Sequence, residues 1–258
     1  VVQGDMDNRG SLECVFEGMT RVFSVQNWAT SGVEAEIRQG KLVAEVAKSA
    51  GIRHLVYSSA GSGEPDTGVP HLDSKLEVEA YMRGLGLPFT IVRPGPFMEM
   101  MTEREFFPPL GVWGMQTKIM GWDKPIPWIA VRDIGIINVR ILEDPETWIG
   151  KDLTVFGDVK TMRECKKIFA DVDGKQPFGL TLPLGLFKKM AGEDLIKMWG
   201  WLDLLAETKG RQAFEEIAQD SRRINPVMLD LKSWLKMKRS GSAQRLTKGQ
   251  LKGNSDYL

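Results

Sequence analysis

The sequence predicts an α/β fold built on a parallel sheet, and two observations carry that prediction. Short apolar, β-branched runs alternate with stretches of helical periodicity over residues 1–95, with glycine, serine and proline marking most of the breaks. Within residues 52–93 a run, a helix and a second run follow in order. That order requires a right-handed parallel crossover.

Taken along the chain, Val1-Val2 before Gly4-Asp5 reads as the end of a strand, and Asn8 or Ser11 serves as cap for a short helix over 12–17. Residues 22–25 form a strand candidate. Residues 37–50 set Val43, Val46, Ala47 and Ala50 on one helical face before Gly51 ends the pattern. Residues 52–57 form a run bounded by Gly51 and by the Ser- and Gly-rich loop 58–63, which reads as a strand buried on both faces. Residues 74–84 carry Leu76, Val78, Tyr81 and Met82 at near-helical spacing and stop at Gly84 and Gly86. The apolar run 88–93 then closes on Pro94-Gly95.

In open α/β sheets ligands gather beyond the carboxyl ends of the strands. Ser58, Ser59 and the Arg93-Pro94-Gly95 turn belong at those ends. His71 and Lys75 stand four residues apart and share one face of the intervening helix. Tyr81 falls on another face and reads as packing.

Composition narrows the class. Lys plus Arg and Asp plus Glu are balanced at 34 each, which removes a global electrostatic case for nucleic acid or membrane as partner. No segment approaches the apolar length of a membrane span. The two cysteines, Cys14 and Cys165, form no Cys-x-x-Cys motif, so a reduced, cytoplasmic setting is expected, and with two histidines no metal site is expected. Residues 232–252 are basic and poor in apolar residues, and read as a final helix running into a disordered tail over 236–258. Near Phe97 the composition shifts: Met98, Met100, Met101, Phe106, Phe107, Trp113, Met115, Met120, Trp122 and Trp128 crowd together with Pro108, Pro109 and Gly111. Such residues suit an apolar cleft or a core.

Several short segments share an order and spacing that resemble the NmrA-like family of atypical short-chain dehydrogenases. They are Val2-Gln3-Gly4-Asp5, Val22-Phe23-Ser24-Val25, Gln39-Gly40-Lys41, Val56-Tyr57-Ser58-Ser59, His71 with Ser74-Lys75, Arg93-Pro94-Gly95 with Phe97-Met98-Glu99, Ile126-Pro127-Trp128 and Asp133-Ile134-Gly135. The resemblance implies a Rossmann-like parallel sheet with a small, mostly helical C-terminal lobe. It assigns residues 1–96 and 128–158 to an NAD(P)-binding domain and residues 97–127 and 159–235 to a substrate-binding lobe. The family pattern opens on a glycine-rich turn that holds the cofactor pyrophosphate at a helix N-terminus. This sequence contains no such turn, so the expectation is a chain lacking its first two βα units, about 60 residues at about 30 per unit.

The resemblance also implies roles. Lys75 would bind the nicotinamide ribose of NAD or NADP, and His71 takes the place where ordinary short-chain dehydrogenases carry a tyrosine. A neighbouring ammonium favours the neutral imidazole, which weakens it as an acid. Asp5 would lie near the adenine or mark a turn. Ser24 and Val25 would run along the cofactor with Ser58, Ser59, Pro94 and Gly95, while Phe97 and Met98 would cover the nicotinamide. Arg93 reads equally as a structural ion pair. Two functions follow: an NAD(P)H-dependent oxidoreductase acting on an apolar quinone or conjugated carbonyl, whose proton comes from water or a weak donor, or a non-catalytic NAD(P)-sensing regulator with a protein partner.

Overall fold

A computed structural model of the chain describes residues 1–103 and 109–241. Its strands are β1 (Arg21–Ser24), β2 (His54–Ser58), β3 (Phe89–Pro94), β4 (Ile126–Trp128), β5 (Asp152–Val155) and β6 (Asp158–Lys160). Four of them form a parallel sheet in the order β1-β2-β3-β5, and β4 and β6 form an antiparallel ribbon. The first helices are α1 (Arg9–Phe16), α2 (Trp28–Ser31), α3 (Val33–Ser49) and α4 (Pro70–Leu85). After β3 come α5 (Pro109–Gly111), α6 (Thr117–Met120), α7 (Val131–Glu143) and α8 (Pro145–Trp148). The chain continues through α9 (Met162–Asp173), α10 (Leu184–Ala191), α11 (Asp194–Ile224) and α12 (Leu231–Arg239).

The two central strands are buried at every position, as the unbroken apolar runs predict. Leu55, Tyr57 and Ile91 face a core shared with α1, α3 and α4, whereas Val56 and Val92 face one shared with α7. Close contact between α3 and α4 depends on Gly40, because a Cβ there would lie 2.8 Å from both γ-methyl carbons of Val78. Pro70 starts α4 with its φ preset, and Gly86 ends it in the left-handed region at φ 65°. Asn8 caps α1 by accepting the Ser11 N–H, which decides between the two capping residues the sequence offered.

Val1-Val2 forms no strand: both side chains are exposed, and no described residue pairs with them. A strand needs a neighbour's backbone groups, and β1 is the free edge of the sheet. Its face towards α7 is thinly covered, leaving Phe23 and Val25 at 44% and 50% exposure. At the other edge β5 pairs with β3 through Leu153↔Val92 and Val155↔Pro94.

The methionine and aromatic residues after β3 are core. Met98, Met101, Trp113, Met115, Met120 and Trp128 are all buried in one cluster with residues of α9 to α12, and Met100 and Trp122 pack at its margin. Of the two readings, core describes most of these side chains, while Met101 and Trp113 also line a cavity; a lobe beside the main sheet needs its own apolar interior. Phe106, Phe107 and Pro108, and the tail beyond Gly241, lie outside the described residues. Among those described, no helix is long and apolar enough to cross a membrane.

His54 sits fully buried at the start of β2, its Nε2 2.8 Å from the Thr90 hydroxyl, which donates to the Trp148 carbonyl at 2.6 Å. Because the Thr90 proton is committed, Nε2 carries the imidazole proton and Nδ1 is left without a partner. Burial, reinforced by the charge of Arg21, holds this imidazole below its ordinary value. The unfolded chain takes up a proton as the pH falls through about 6.5 while the folded chain resists it, so stability is complete above that pH and lost below it. Urea midpoints should fall between pH 7.5 and 5.5, and should fall less in His54→Gln.

Candidate functional site

Lys75, on the second turn of α4, meets the loop after β1 and the Tyr57 ring of β2 near the carboxyl ends of those strands. Lys75 is only 6% exposed. Its ammonium lies 2.9 Å from Glu36 Oε1 and donates to the Gln26 carbonyl at 2.8 Å, so α4 is tied both to α3 and to the loop after β1. The second Glu36 oxygen accepts from the Ser74 hydroxyl at 2.5 Å. Burial lowers the pKa of Lys75, and the Glu36 charge and hydrogen bond oppose that shift. An ammonium has three donors; the Gln26 carbonyl takes one, and Glu36 Oε1 meets the charge as an ion pair. A donor remains for a ligand.

His71 lies one helical turn before Lys75 and is also buried. Its ring stacks on Trp28 of α2 with centroids 4.7 Å apart and planes 18° from parallel. Its Nδ1 has no partner. Burial, with a smaller push from Lys75, keeps the imidazole below its ordinary pKa, against the opposing charges of Asp194, Glu36 and Asp73. Burial, not the ammonium named by the sequence reading, is thus the larger cause. A phenol stands near the lysine after all, reached from β2. The Tyr57 ring centroid lies 5.7 Å from Lys75 Nζ, but the residue is 1% exposed and its hydroxyl has no partner. Burial, then Glu36 and Glu79, push that phenol well up, so it stays protonated and away from solvent.

A second buried pair shapes the loop after β2. Arg93 at the end of β3 grips Glu79 of α4 with two nitrogens and reaches Asp152 at 2.9 Å, while Ser59 donates to Glu79 Oε1 at 2.5 Å. Arg93 is therefore a structural ion pair. Gly63 lies against it: a Cβ there, already strained at φ 81°, would come 2.8 Å from the guanidinium carbon. The N-terminal half of α11 covers the same loop, with Lys209 2.9 Å from Glu64 and Trp201 Cη2 3.8 Å from where a Gly61 Cβ would stand.

The other expected contacts separate. Ser58 ends β2 as a buried side chain, and Ser24 accepts from Gln26 Nε2 at 3.0 Å. Val25 is half exposed at the sheet edge. Gly95 follows Pro94 into a crowded turn, where a Cβ would fall 2.2 Å from the Pro127 carbonyl oxygen. Phe97 bridges to Ile129 and packs towards α7. Met98 is completely buried in the C-terminal core, so it is packing rather than a cover for a ligand. Asp5 is exposed and accepts the Asp7 N–H at 2.9 Å, which is the turn role. Glu99 accepts the Val131 N–H at the start of α7 and the Trp234 indole N–H at 3.1 Å. That is a capping role.

Sequence reasoning missed Glu36, Gln26 and Glu79. The signal for Glu36 was the acidic first turn of a helix that begins at Val33, earlier than apolar periodicity alone indicates. A cavity of about 560 Å³ opens in the C-terminal lobe between Met101, Trp113, Phe169 and Phe178. None of the sequence-predicted site residues lines it.

A parallel sheet with helices on both faces, and polar and charged side chains gathered at its carboxyl end, defines a Rossmann-like protein. The chain belongs to the NmrA-like family, whose profile matches residues 1–235. It is similar to the NmrA-like family domain-containing oxidoreductase lnaB of Aspergillus flavus, 27% identical over 201 residues that cover 68% of this chain and 59% of that protein. The nitrogen metabolite repression protein nmrA of Emericella nidulans is 33% identical over 157 residues, 56% of this chain and 44% of that one. The chain thus spans about 59% of the length of the first of these relatives. In fold it is similar to the NADPH-dependent quinone oxidoreductase QOR2 of Escherichia coli, solved with NADPH. The TM-score is 0.69 at 16% identity, covering 93% of this chain and 83% of that one.

Removing one member of a buried ion pair costs about 3–5 kcal/mol, mostly from the charge left unpaired. Arg93→Met should therefore lower the urea-unfolding free energy by about that amount, and the double variant Arg93→Met/Glu79→Met should recover part of it.

Proposed function

We propose that this protein binds NAD(P) and works as an NAD(P)H-dependent reductase of an apolar quinone or conjugated carbonyl. The observation that carries this reading is Lys75: a buried lysine at the carboxyl end of a parallel sheet, partly neutralised by Glu36 and with donor capacity still to place. The residues present fit the nicotinamide-ribose end of a dinucleotide, where Lys75 would donate to a ribose hydroxyl. Donors for the pyrophosphate are not assigned to any described residue. We assign residues 1–96 and 128–158 to the cofactor half and 97–127 and 159–235 to the substrate half. Free Cys14 and Cys165 suit a reducing, cytoplasmic compartment.

When bound, the reduced nicotinamide supplies a hydride. The chain's part is to orient and to exclude water. Lys75 fixes the ribose; Trp28 and His71 form a flat apolar wall one helical turn away; and the loop 58–63, held by Arg93 and Glu79, sets the floor. A neutral His71 is a poor acid, and the Tyr57 phenol is buried. The substrate should therefore be one whose reduced form takes its proton from water, as a hydroquinone anion does. A second reading, an NAD(P)-sensing regulator without turnover that reports to a protein partner, draws support from the similarity to a nitrogen metabolite repression protein.

Charge-assisted hydrogen bonds contribute about 1.5–3 kcal/mol, so Lys75→Ala should weaken NADPH binding by about ten- to a hundredfold, measured by quenching of tryptophan fluorescence. Unchanged affinity would remove the cofactor reading. His71→Phe should keep most of the affinity. Steady NADPH consumption with a quinone identifies the reductase, and binding without consumption identifies the sensor.

A further inference from the structure

The Lys75 ammonium is surrounded on every side by groups that belong to different elements. Glu36 approaches from α3, and the Gln26 carbonyl from the loop after β1. The Tyr57 ring lies beneath it from β2. On α4 itself stand His71, Asp73 and Glu79, and Asp194 of α11 acts on His71 from above. Most of these do not answer the ammonium directly. Glu79 is engaged by Arg93 and Ser59. Asp73 accepts the backbone N–H and the hydroxyl of Thr67. Tyr57 is a neutral phenol, and Asp194 acts through its charge on His71. Among the described residues only Glu36 brings a full negative charge to within 2.9 Å of Nζ, and it is itself 0% exposed and aligned by Ser74.

A buried ammonium without such a partner loses its proton readily, and a neutral amine is a weaker donor to a sugar hydroxyl. The Glu36 carboxylate is also directional. Ser74 takes Oε2, so Oε1 is the oxygen turned to Lys75 at 2.9 Å, and together with the hydrogen bond to the Gln26 carbonyl it fixes where the ammonium sits.

We propose that Glu36 is a positioning residue for Lys75: its buried carboxylate keeps the ammonium charged and holds it so that an uncommitted N–H is presented to the ribose of a bound dinucleotide. This rests on the cofactor reading above for the ribose, and on the observed ion pair for the hold of Glu36 on Lys75. A carboxylate serving only to staple α3 to α4 would be replaceable by any side chain that accepts from Ser74. Glutamine, which keeps that acceptor and loses the charge, separates the two roles.

The test measures the Lys75 side-chain amine directly in the cofactor-free protein, by NMR of its labelled ε-carbon, with the resonance assigned by its loss in Lys75→Arg. In Glu36→Gln the titration of Lys75 should move down by about one pH unit or more, and Glu36→Asp should recover part of that shift. NADPH affinity should be flat between pH 7 and 9 in the unaltered protein and fall with rising pH in Glu36→Gln, with an approach to the unaltered profile in Glu36→Asp. A Lys75 titration unchanged by Glu36→Gln overturns the proposal, whatever NADPH does. Conversely, a shifted titration with NADPH affinity indifferent to Lys75→Ala overturns the cofactor reading and leaves the hold of Glu36 on Lys75 standing. Should Glu36→Gln fail to fold, Glu36→Gln/Lys75→Met decides. Recovered cooperative unfolding shows that the unpaired ammonium caused the failure and supports the proposal, and no recovery overturns it.

Discussion

A carboxylate can be buried between a helix layer and a sheet only if a cation is buried with it, and this chain meets that condition twice on the same face. Glu36 and Glu79 are at most 3% exposed, and their partners come from other elements, Lys75 from α4 and Arg93 from β3. One pair ties α4 to α3, and the other ties α4 to the sheet. Between them the contact at Gly40 leaves no room for the helices to slide. The position of α4, and with it the lysine, the stacked histidine and the loop after β2, follows from these two pairs.

The same arrangement gives the site a charged part and a flat part. Around the lysine lie charges matched to one another, and one helical turn before it the Trp28 and His71 rings stack, with burial holding the imidazole below its ordinary pKa. Stacked rings of this kind pack well against planar groups, and the ammonium beside them is a charged donor.

Much of the sheet was legible in the sequence because buried parallel strands write continuous apolar runs, and residues 52–57 and 88–93 do so without interruption. The start of α3 was less legible. Its first turn is acidic and amphipathic periodicity sets in later, so Glu36 fell outside the expected helix although it is buried in the structure. Burial of a charge is a property of a pair, and the partner here lies in another element where local pattern carries no trace of it. Tyr57 illustrates the same limit: a search four residues before Lys75 found no phenol, whereas the neighbouring strand brings one beneath the ammonium. The methionines and tryptophans after residue 97 were ambiguous for a different reason, since cores and apolar clefts draw on the same side chains.

The long helix α11 is divided at Gly210, where φ is 75° and ψ is 172°, a conformation open essentially to glycine alone. The C-terminal part is moored to the sheet, because Ser221 accepts the Phe156 N–H at 3.0 Å and Arg222 reaches the Gly157 carbonyl at 2.5 Å. The N-terminal part sets Trp201 against the loop after β2 and buries Trp199, Leu202 and Leu205 in the C-terminal core. One glycine therefore fixes the angle between a part that is moored to the sheet and a part that belongs to the lobe, and a side chain at that position would forbid the bend.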